Sequence, residues 1–285
     1  MRVELIRTIE TTLAQRMTIE SYCRLVNLRN ALRAKKHRIV PVATEDPAIH
    51  IAKSGAEQIH ICRRGRHNRY KGGVMAGVDR LGRDYSLDRI ANLRDGVFID
   101  CGANVGELGF WARQRGFRYI PFEPEPLEAR CVDLNHFDGR PDCIRKALWH
   151  EETVLRFYNR ASSADSSVLA GAEGGAGAEG GAKGGAKGEP SVSIAATTLD
   201  AAVDLGGVTG PVIFKLEAEG AEPEVLQGAT KSLARIDWVA VDCGFERGPE
   251  RAHTFVETNT CLQDHHFRLV AARFTRVTAL YQRVA

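Results

Sequence analysis

A chain of 285 residues with 44% hydrophobic content carries enough apolar side chain for one large domain or one and a half. Its 39 basic and 36 acidic residues leave a formal charge of +3, too near balance for a general polyanion binder, so any basic signal has to be local. The seven cysteines, Cys23, Cys62, Cys101, Cys131, Cys143, Cys243 and Cys261, form no C-x-x-C pair; they read as reduced core thiols and exclude a disulfide framework or zinc site, which favours the cytoplasm. Charges recur too often after Met1 for a signal peptide, and no apolar run reaches the roughly eighteen residues of a membrane span, so a soluble chain is expected.

From Leu5 to about Arg38 the positions Ile6, Ile9, Leu13 and Met17, then Leu25, Leu28 and Leu32, recur at three- and four-residue spacing. This predicts one or two amphipathic helices, and the N-terminal helix offers a surface for a homo-oligomer. Arg33, Lys35, Lys36 and Arg38 crowd the end, where cations suit the negative pole of a helix. Alternation through Ile49, Ile51, Ile59 and Ile61 predicts a small sheet, completing a helical and β extension over residues 1–94. The basic run Arg63, Arg64, Arg66, His67, Arg69 and Lys71, with Tyr70 inside it and Gly72 and Gly73 after it, can be read in two ways. It can grip phosphates of RNA or a nucleotide-linked substrate, with Tyr70 stacking, or be a solvated turn; a run of like charge favours the turn.

Residues 95–285 alternate apolar strands with helical stretches, the pattern of a doubly wound α/β domain with a mostly parallel sheet. Strands are expected at Val97 to Cys101, Arg118 to Phe122, Cys143 to Ala147, Val212 to Leu216 and Trp238 to Asp242. Helices are expected at Phe110 to Arg115, Glu125 to Asn135 and about Glu222 to Leu233. Phe267 to Ala272 and Val277 to Arg283 alternate around a turn, an antiparallel pair at one end of the sheet. The Gly/Ala-rich stretch at 170–189 cannot bury enough apolar area to offset its ordering entropy, so a flexible loop is expected there.

The sharpest chemical signal is the run Phe98, Ile99, Asp100, Cys101, Gly102, Ala103, Asn104, Val105, Gly106 between a strand and a helix. Gly102 and Gly106 let the backbone turn tightly and a ligand approach it, with Ala103 between them. Asp100 can accept from a ligand amine, and Asn104 with amides at the helix start can hold a carboxylate. Those two ends belong to an amino acid, which suits the methionine part of S-adenosylmethionine. Some twenty residues on, Glu123 and Pro124 follow the second strand; an acid there can accept both hydroxyls of an adenosine ribose. Ala147, ending the third strand, joins the cofactor side. A dinucleotide fold wants G-x-G-x-x-G, but the nearest match, Asn104 to Gly109, has Asn in the first glycine place. Singly, Asp100 and Asn104 read as helix caps and the glycines as turn residues; together with Glu123 they favour a nucleoside ligand.

Next to the first strand, Phe214, Lys215, Leu216, Glu217, Ala218, Glu219, Gly220, Ala221 and Glu222 end another strand, pointing Glu217 and Glu219 toward the reaction site. Glu222, with Pro223 beside it, reads as the start of a helix. Asp242 ends the following strand; with Glu217 it can hold a magnesium ion, but hydrogen bonding to the loop Cys243 to Gly248 is favoured, and the histidines show no metal-ligand spacing. No metal is expected.

The chain resembles the FkbM-type methyltransferase family. The resemblance rests on F-I-D-C-G-A-N-V-G from Phe98, F-E-P from Phe122, T-L-D from Thr198 and F-K-L-E-A-E-G-A-E-P-E-V-L-Q-G-A from Phe214, and covers about Tyr85 to the C-terminus. It implies a class I, Rossmann-like methyltransferase fold, S-adenosylmethionine as cofactor, and O-methylation of a sugar, glycan or secondary metabolite. Where the family usually reads D-V-E-G, this chain has Glu217-Ala218-Glu219-Gly220, an acid one methylene longer. Methyl transfer is an in-line displacement that depends on positioning, and a hydroxyl acceptor needs a proton acceptor nearby. Glu217 is the first candidate for that role and Glu219 the second, with Lys215 orienting the acceptor. An RNA-directed methyltransferase and a noncatalytic binding module of the same fold are the alternatives.

Overall fold

A computed structural model of the chain describes residues 16–33, 38–158, 191–248 and 250–284. The expected flexible loop at 170–189, and the periodic positions Ile6, Ile9 and Leu13, lie outside them. The chain forms two compact units, the first from residues 1–81, 103–111 and 125–143, the second from 82–102, 112–124 and 144–285. No helix among the described residues is long and apolar enough to cross a membrane.

In the first unit, helix α1 (Ile19–Leu32) starts at Thr18, whose hydroxyl accepts the Ser21 amide at 3.3 Å. It buries Ile19, Tyr22, Cys23, Val26 and Asn30, while Leu25, Leu28 and Leu32 face outward. Two asparagines set that rotation: Asn27 exchanges two hydrogen bonds of 2.8 Å with the Ile39 backbone, and Asn30 donates to the Lys71 carbonyl at 2.8 Å. A hydrogen-bonded amide outweighs a leucine in choosing which face turns inward, because a buried carbonyl left unpaired costs about 1–3 kcal/mol. The strands β1 (Val40–Ala43), β2 (His50–Ser54) and β3 (Glu57–Ile61) form an antiparallel sheet in that order. The buried Ile59 and Ile61 of β3, with Ile49 just before β2, share a core with Tyr70, Val105 and Cys131.

The basic run is neither a solvated turn nor a free phosphate grip. It forms a 3-10 helix, Arg64–Tyr70, in which Arg66 and Tyr70 are buried around one acid. Arg66 Nη1 donates to both Glu107 oxygens at 2.9 and 3.1 Å, and the Tyr70 hydroxyl donates to Oε1 at 2.8 Å. Part of the charge that counts as surplus along the sequence is met by acids far along the chain, Arg66 and Arg69 by Glu107 and Arg63 by Glu128. Tyr70→Phe removes one donor from this buried carboxylate and is expected to lower stability by about 1–3 kcal/mol in urea unfolding. A loss under about 0.5 kcal/mol, the scatter of surface substitutions, contradicts this placement.

The second unit holds a six-stranded sheet in the order β11-β12-β10-β9-β4-β5. Strands β4 (Val97–Cys101), β5 (Arg118–Phe122), β9 (Val212–Leu216) and β10 (Trp238–Asp242) are parallel neighbours. Every residue of β4 and β9 is buried, as strands covered on both faces require. Strands β11 (Phe267–Arg273) and β12 (Thr278–Arg283) form an antiparallel pair, with β12 antiparallel to β10. After β5 the chain returns to β9 on the other flank of β4, so strand order reverses at β4. In such sheets ligands sit outside the carboxyl ends of the strands at the reversal.

The expected third strand, Cys143 to Ala147, is reduced to one parallel bridge. Ile144 donates to the Pro121 carbonyl and accepts from the Glu123 amide, each at 3.0 Å. The chain then leaves the main sheet, and β6 (Ala147–Leu148) pairs with β8 (Ser191–Thr197), which also pairs with β7 (Thr153–Tyr158). The expected helix from Glu222 to Leu233 ends at Gln227, followed by a 3-10 turn, Ser232–Ala234. Asp200 accepts the Lys231 and Ser232 amides at 3.0 and 2.7 Å and anchors that turn, so the acid of T-L-D has a structural role.

Candidate active site

At the carboxyl ends of β4, β9 and β10 the second unit gathers Asp100, Lys215, Glu217 and Asp242, joined by Tyr85, Tyr119 and Arg276. Parallel register places Asp100 beside Lys215. The Lys215 ammonium, only 4% exposed, lies 3.0 Å from Asp100 Oδ1 and 3.2 Å from Glu217 Oε2. It also donates to the Cys101 and Gly102 carbonyls at 2.8 and 2.7 Å. All its donors are thus taken by the protein, so Lys215 ties the end of β4 to β9 instead of reaching for an acceptor. Burial lowers its proton affinity, but Asp100 and then Glu217 raise it further, and the ammonium stays charged.

Asp100 is equally enclosed. Its Oδ2 accepts the Tyr119 hydroxyl at 2.7 Å while Oδ1 faces Lys215, and its side chain is 1% exposed. Burial pushes its carboxyl above the usual range, opposed by Lys215 and Tyr119.

Glu217 sits at the open side of the cluster, its side chain 23% exposed. Oε1 accepts Arg276 Nη2 at 2.6 Å, and Oε2 accepts the Tyr85 hydroxyl at 2.6 Å. Burial would push its carboxyl up, but Lys215, then Arg276 and the hydrogen bonds, bring it down to about 2. Asp242 behaves oppositely. Its Oδ2 accepts Arg276 Nε at 2.5 Å and Oδ1 accepts the Gly244 amide at 3.1 Å, while burial and then the Glu217 charge push its carboxyl up to about 6. The Gly244 contact is the loop bond read from the sequence. Arg276 therefore stands between Glu217 and Asp242, the two carboxylates that could pair on a magnesium ion. Among the described residues no group of three or more His, Cys, Asp or Glu is placed to hold a metal.

The turn after β4 alternates left-handed residues, Gly102 at φ 71°, Asn104 at 52° and Gly106 at 82°. A Cβ on Gly102 would lie 2.3 Å from the Glu217 carbonyl oxygen, so only glycine lets the ends of β4 and β9 approach this closely. In the first unit, a Cβ on Gly106 would meet the His136 ring at 2.8 Å, and Ala103 O accepts the Gly106 amide at 2.8 Å. Glu123, 6% exposed, ends β5 as expected, with Pro124 following it. Ala147 is buried in β6.

Glu219 is half-buried in the turn after β9 at φ 52°. Glu222 is fully buried; it accepts the Ala218 and Gly220 amides and the Thr254 hydroxyl, and begins the helix Glu222–Gln227 as expected. Sequence reasoning missed Tyr85, Tyr119 and Arg276. Tyr119 could have been found from the parallel register of β4 and β5, since it sits two positions before Pro121, the partner of Asp100, and so on the same face of β5. Tyr85 and Arg276 carry no local signal; a turn and a hairpin bring them in.

A family model described as Methyltransferase FkbM domain matches residues 100–269, more than half of the chain. A comparison with curated proteins finds no match. Among solved structures the chain is similar to methyltransferase FkbM from Methylobacillus flagellatus KT, at 16% identity over 77% of this chain and 54% of that one, with a TM-score of 0.42. It thus spans about half the length of that protein. It is also similar to magnesium protoporphyrin IX methyltransferase ChlM from Synechocystis PCC 6803, solved with bound SAM (13% identity, 76% and 83% coverage, TM-score 0.38). A third is a TehB-like SAM-dependent methyltransferase from Corynebacterium glutamicum ATCC 13032 Kitasato (10%, 74% and 98%, TM-score 0.36).

Proposed function

The chain belongs to the FkbM family of S-adenosylmethionine-dependent methyltransferases, and on that premise we propose that it methylates a hydroxyl of a sugar, glycan or secondary metabolite. The observation that carries this reading is the charged cluster at the carboxyl ends of β4, β9 and β10, where a doubly wound class I sheet holds its ligands. Residues 95–285 are the methyl-transferring domain in this reading and residues 1–94 its extension. The outward leucines of α1 give a second copy a surface, and the seven free cysteines suit the cytoplasm.

The residues fit a nucleoside cofactor by their chemistry: a buried acid, Glu123, ends the strand beside β4, and β4 runs into a turn bearing glycines at 102 and 106. Glu123 accepts the ribose hydroxyls, with Pro124 beside the nucleoside, and the turn that opens at Gly102 serves the methionine end. Asp100 serves that end by holding Lys215, which in turn fixes the Gly102 carbonyl. When bound, S-adenosylmethionine supplies an electrophilic methyl on its sulfonium. A proton acceptor works best with a pKa near the working pH, and Glu217 lies far below it. Glu217 therefore orients the acceptor hydroxyl by accepting its hydrogen bond, and Glu219, the second acid of the same loop, takes the proton. Lys215 orients the acceptor only through Glu217.

A panel of glycans, nucleotide sugars and RNA incubated with radiolabelled methyl donor tests this reading. Label is expected on a hydroxyl of a carbohydrate or metabolite, and Glu219→Ala is expected to reduce transfer by about 100-fold or more, the usual worth of a general base, with S-adenosylhomocysteine affinity unchanged. Label confined to RNA, or full transfer by the variant, contradicts it.

A further inference from the structure

The family match ends at residue 269 and begins at residue 100, yet two side chains outside that span complete the surroundings of Glu217. Tyr85 follows the helix Val74–Asp84 and is fully buried. Arg276 lies in the turn between β11 and β12. The Thr278 hydroxyl donates to the Asp84 carbonyl at 2.6 Å, which fastens the Tyr85 segment to the hairpin carrying Arg276. The Arg276 guanidinium lies 5.8 Å from the Tyr85 ring centre and the Lys215 ammonium 5.7 Å from it, so the ring is within cation–π reach of both.

Each of these groups closes one direction around Glu217. Lys215 approaches from β9, Tyr85 from the preceding segment and Arg276 from the hairpin, and Arg276 is itself fixed by Asp242 on β10. Asp100 completes the charged set through Lys215. The three contacts together restrict the three rotatable bonds of the glutamate side chain, which stays 23% exposed at the carboxyl ends of the strands.

We propose that Tyr85 and Arg276 are positioning residues for methyl transfer, holding the Glu217 carboxylate in the orientation that receives the acceptor hydroxyl. The inference rests on the reading of Glu217 as an acceptor-side group. It goes beyond that reading in making the reaction depend on elements outside the matched family span. Arg276 is the stronger of the two, because it alone bridges Glu217 and Asp242, and a lysine cannot span both with a planar fork.

The test uses the full chain with Arg276→Gln, Arg276→Lys and Tyr85→Phe, after circular dichroism shows each folded. Carboxyl carbon NMR, with Glu217→Gln to assign the signal, reads the ionisation of Glu217 without any acceptor. In Arg276→Gln its midpoint is expected to rise by about one pH unit, tenfold in proton affinity, or more. Tyr85→Phe moves it less, in the same direction. With a hydroxylated acceptor from the radiolabel panel, both variants are expected to lose about tenfold in kcat, or roughly 1.4 kcal/mol of barrier, while KM for the methyl donor holds. Arg276→Lys keeps most of the ionisation but also loses kcat, and carries the test if Arg276→Gln does not fold. A Glu217 signal that titrates alike in wild type and Arg276→Gln, or wild-type kcat in the arginine variants, overturns the proposal. A wild-type chain that binds no S-adenosylhomocysteine would instead overturn the functional reading and leave the ionisation result standing.

Discussion

Lys215→Met is expected to lower stability by about 3–5 kcal/mol, the cost of removing one partner from a buried charged cluster. Methionine fills much of the same volume, so the loss is electrostatic. Asp100, 1% exposed, keeps only the Tyr119 hydroxyl, the Gly102 carbonyl loses the Lys215 donor, and the Cys101 carbonyl is left with the Glu217 amide at 3.2 Å. Urea unfolding at neutral pH measures it, and a loss below about 1 kcal/mol contradicts the assignment. The pH dependence follows from Glu217, whose folded carboxyl at about 2 lies below the ordinary glutamate value near ~4.3. Its ion pairs stabilise the fold fully above that ordinary value and are lost as pH falls toward 2. In Lys215→Met the folded value rises, so unfolding is expected to depend less steeply on pH across this window.

Glu123→Ala is expected to weaken S-adenosylhomocysteine binding by about a hundredfold or more. Two ribose hydroxyls on one carboxylate are hydrogen bonds to a charged group, about 1.5–3 kcal/mol each, and alanine forfeits both. Isothermal calorimetry on the wild type and the variant gives the ratio. Equal affinities would show that the ribose lies elsewhere.

The parallel strands and the acids that end them were legible because each is a local pattern: an apolar run, a polar residue at its end, a glycine where the backbone turns. Glu222 was legible for the same reason, since a proline beside an acid starts a helix. Residues whose roles depend on distant partners were not legible. Arg66 and Tyr70 looked like part of an exposed basic run because Glu107, which neutralises them, lies about forty residues away. The leucines of α1 had helical spacing but the wrong face, because Asn27 and Asn30 fix the helix through backbone groups of other segments. The third strand was half right, since Ile144 bridges Phe122 before the chain turns away to another sheet. Arg276 could not be placed at all, because its position depends on the register of β12 against β10.

What a motif cannot carry is the charge state of its acids: Lys215, Tyr85 and Arg276 surround Glu217 and stabilise its ionised form. Proton affinity is set by neighbours that a motif does not contain.

A crystal of the chain grown with S-adenosylhomocysteine tests the account most directly. It should show the ribose hydroxyls within hydrogen-bond reach of the Glu123 carboxylate and the sulfur directed toward the open edge of Glu217. Ribose bound away from the end of β5, or a sulfur pointing away from the ends of β9 and β10, would contradict it.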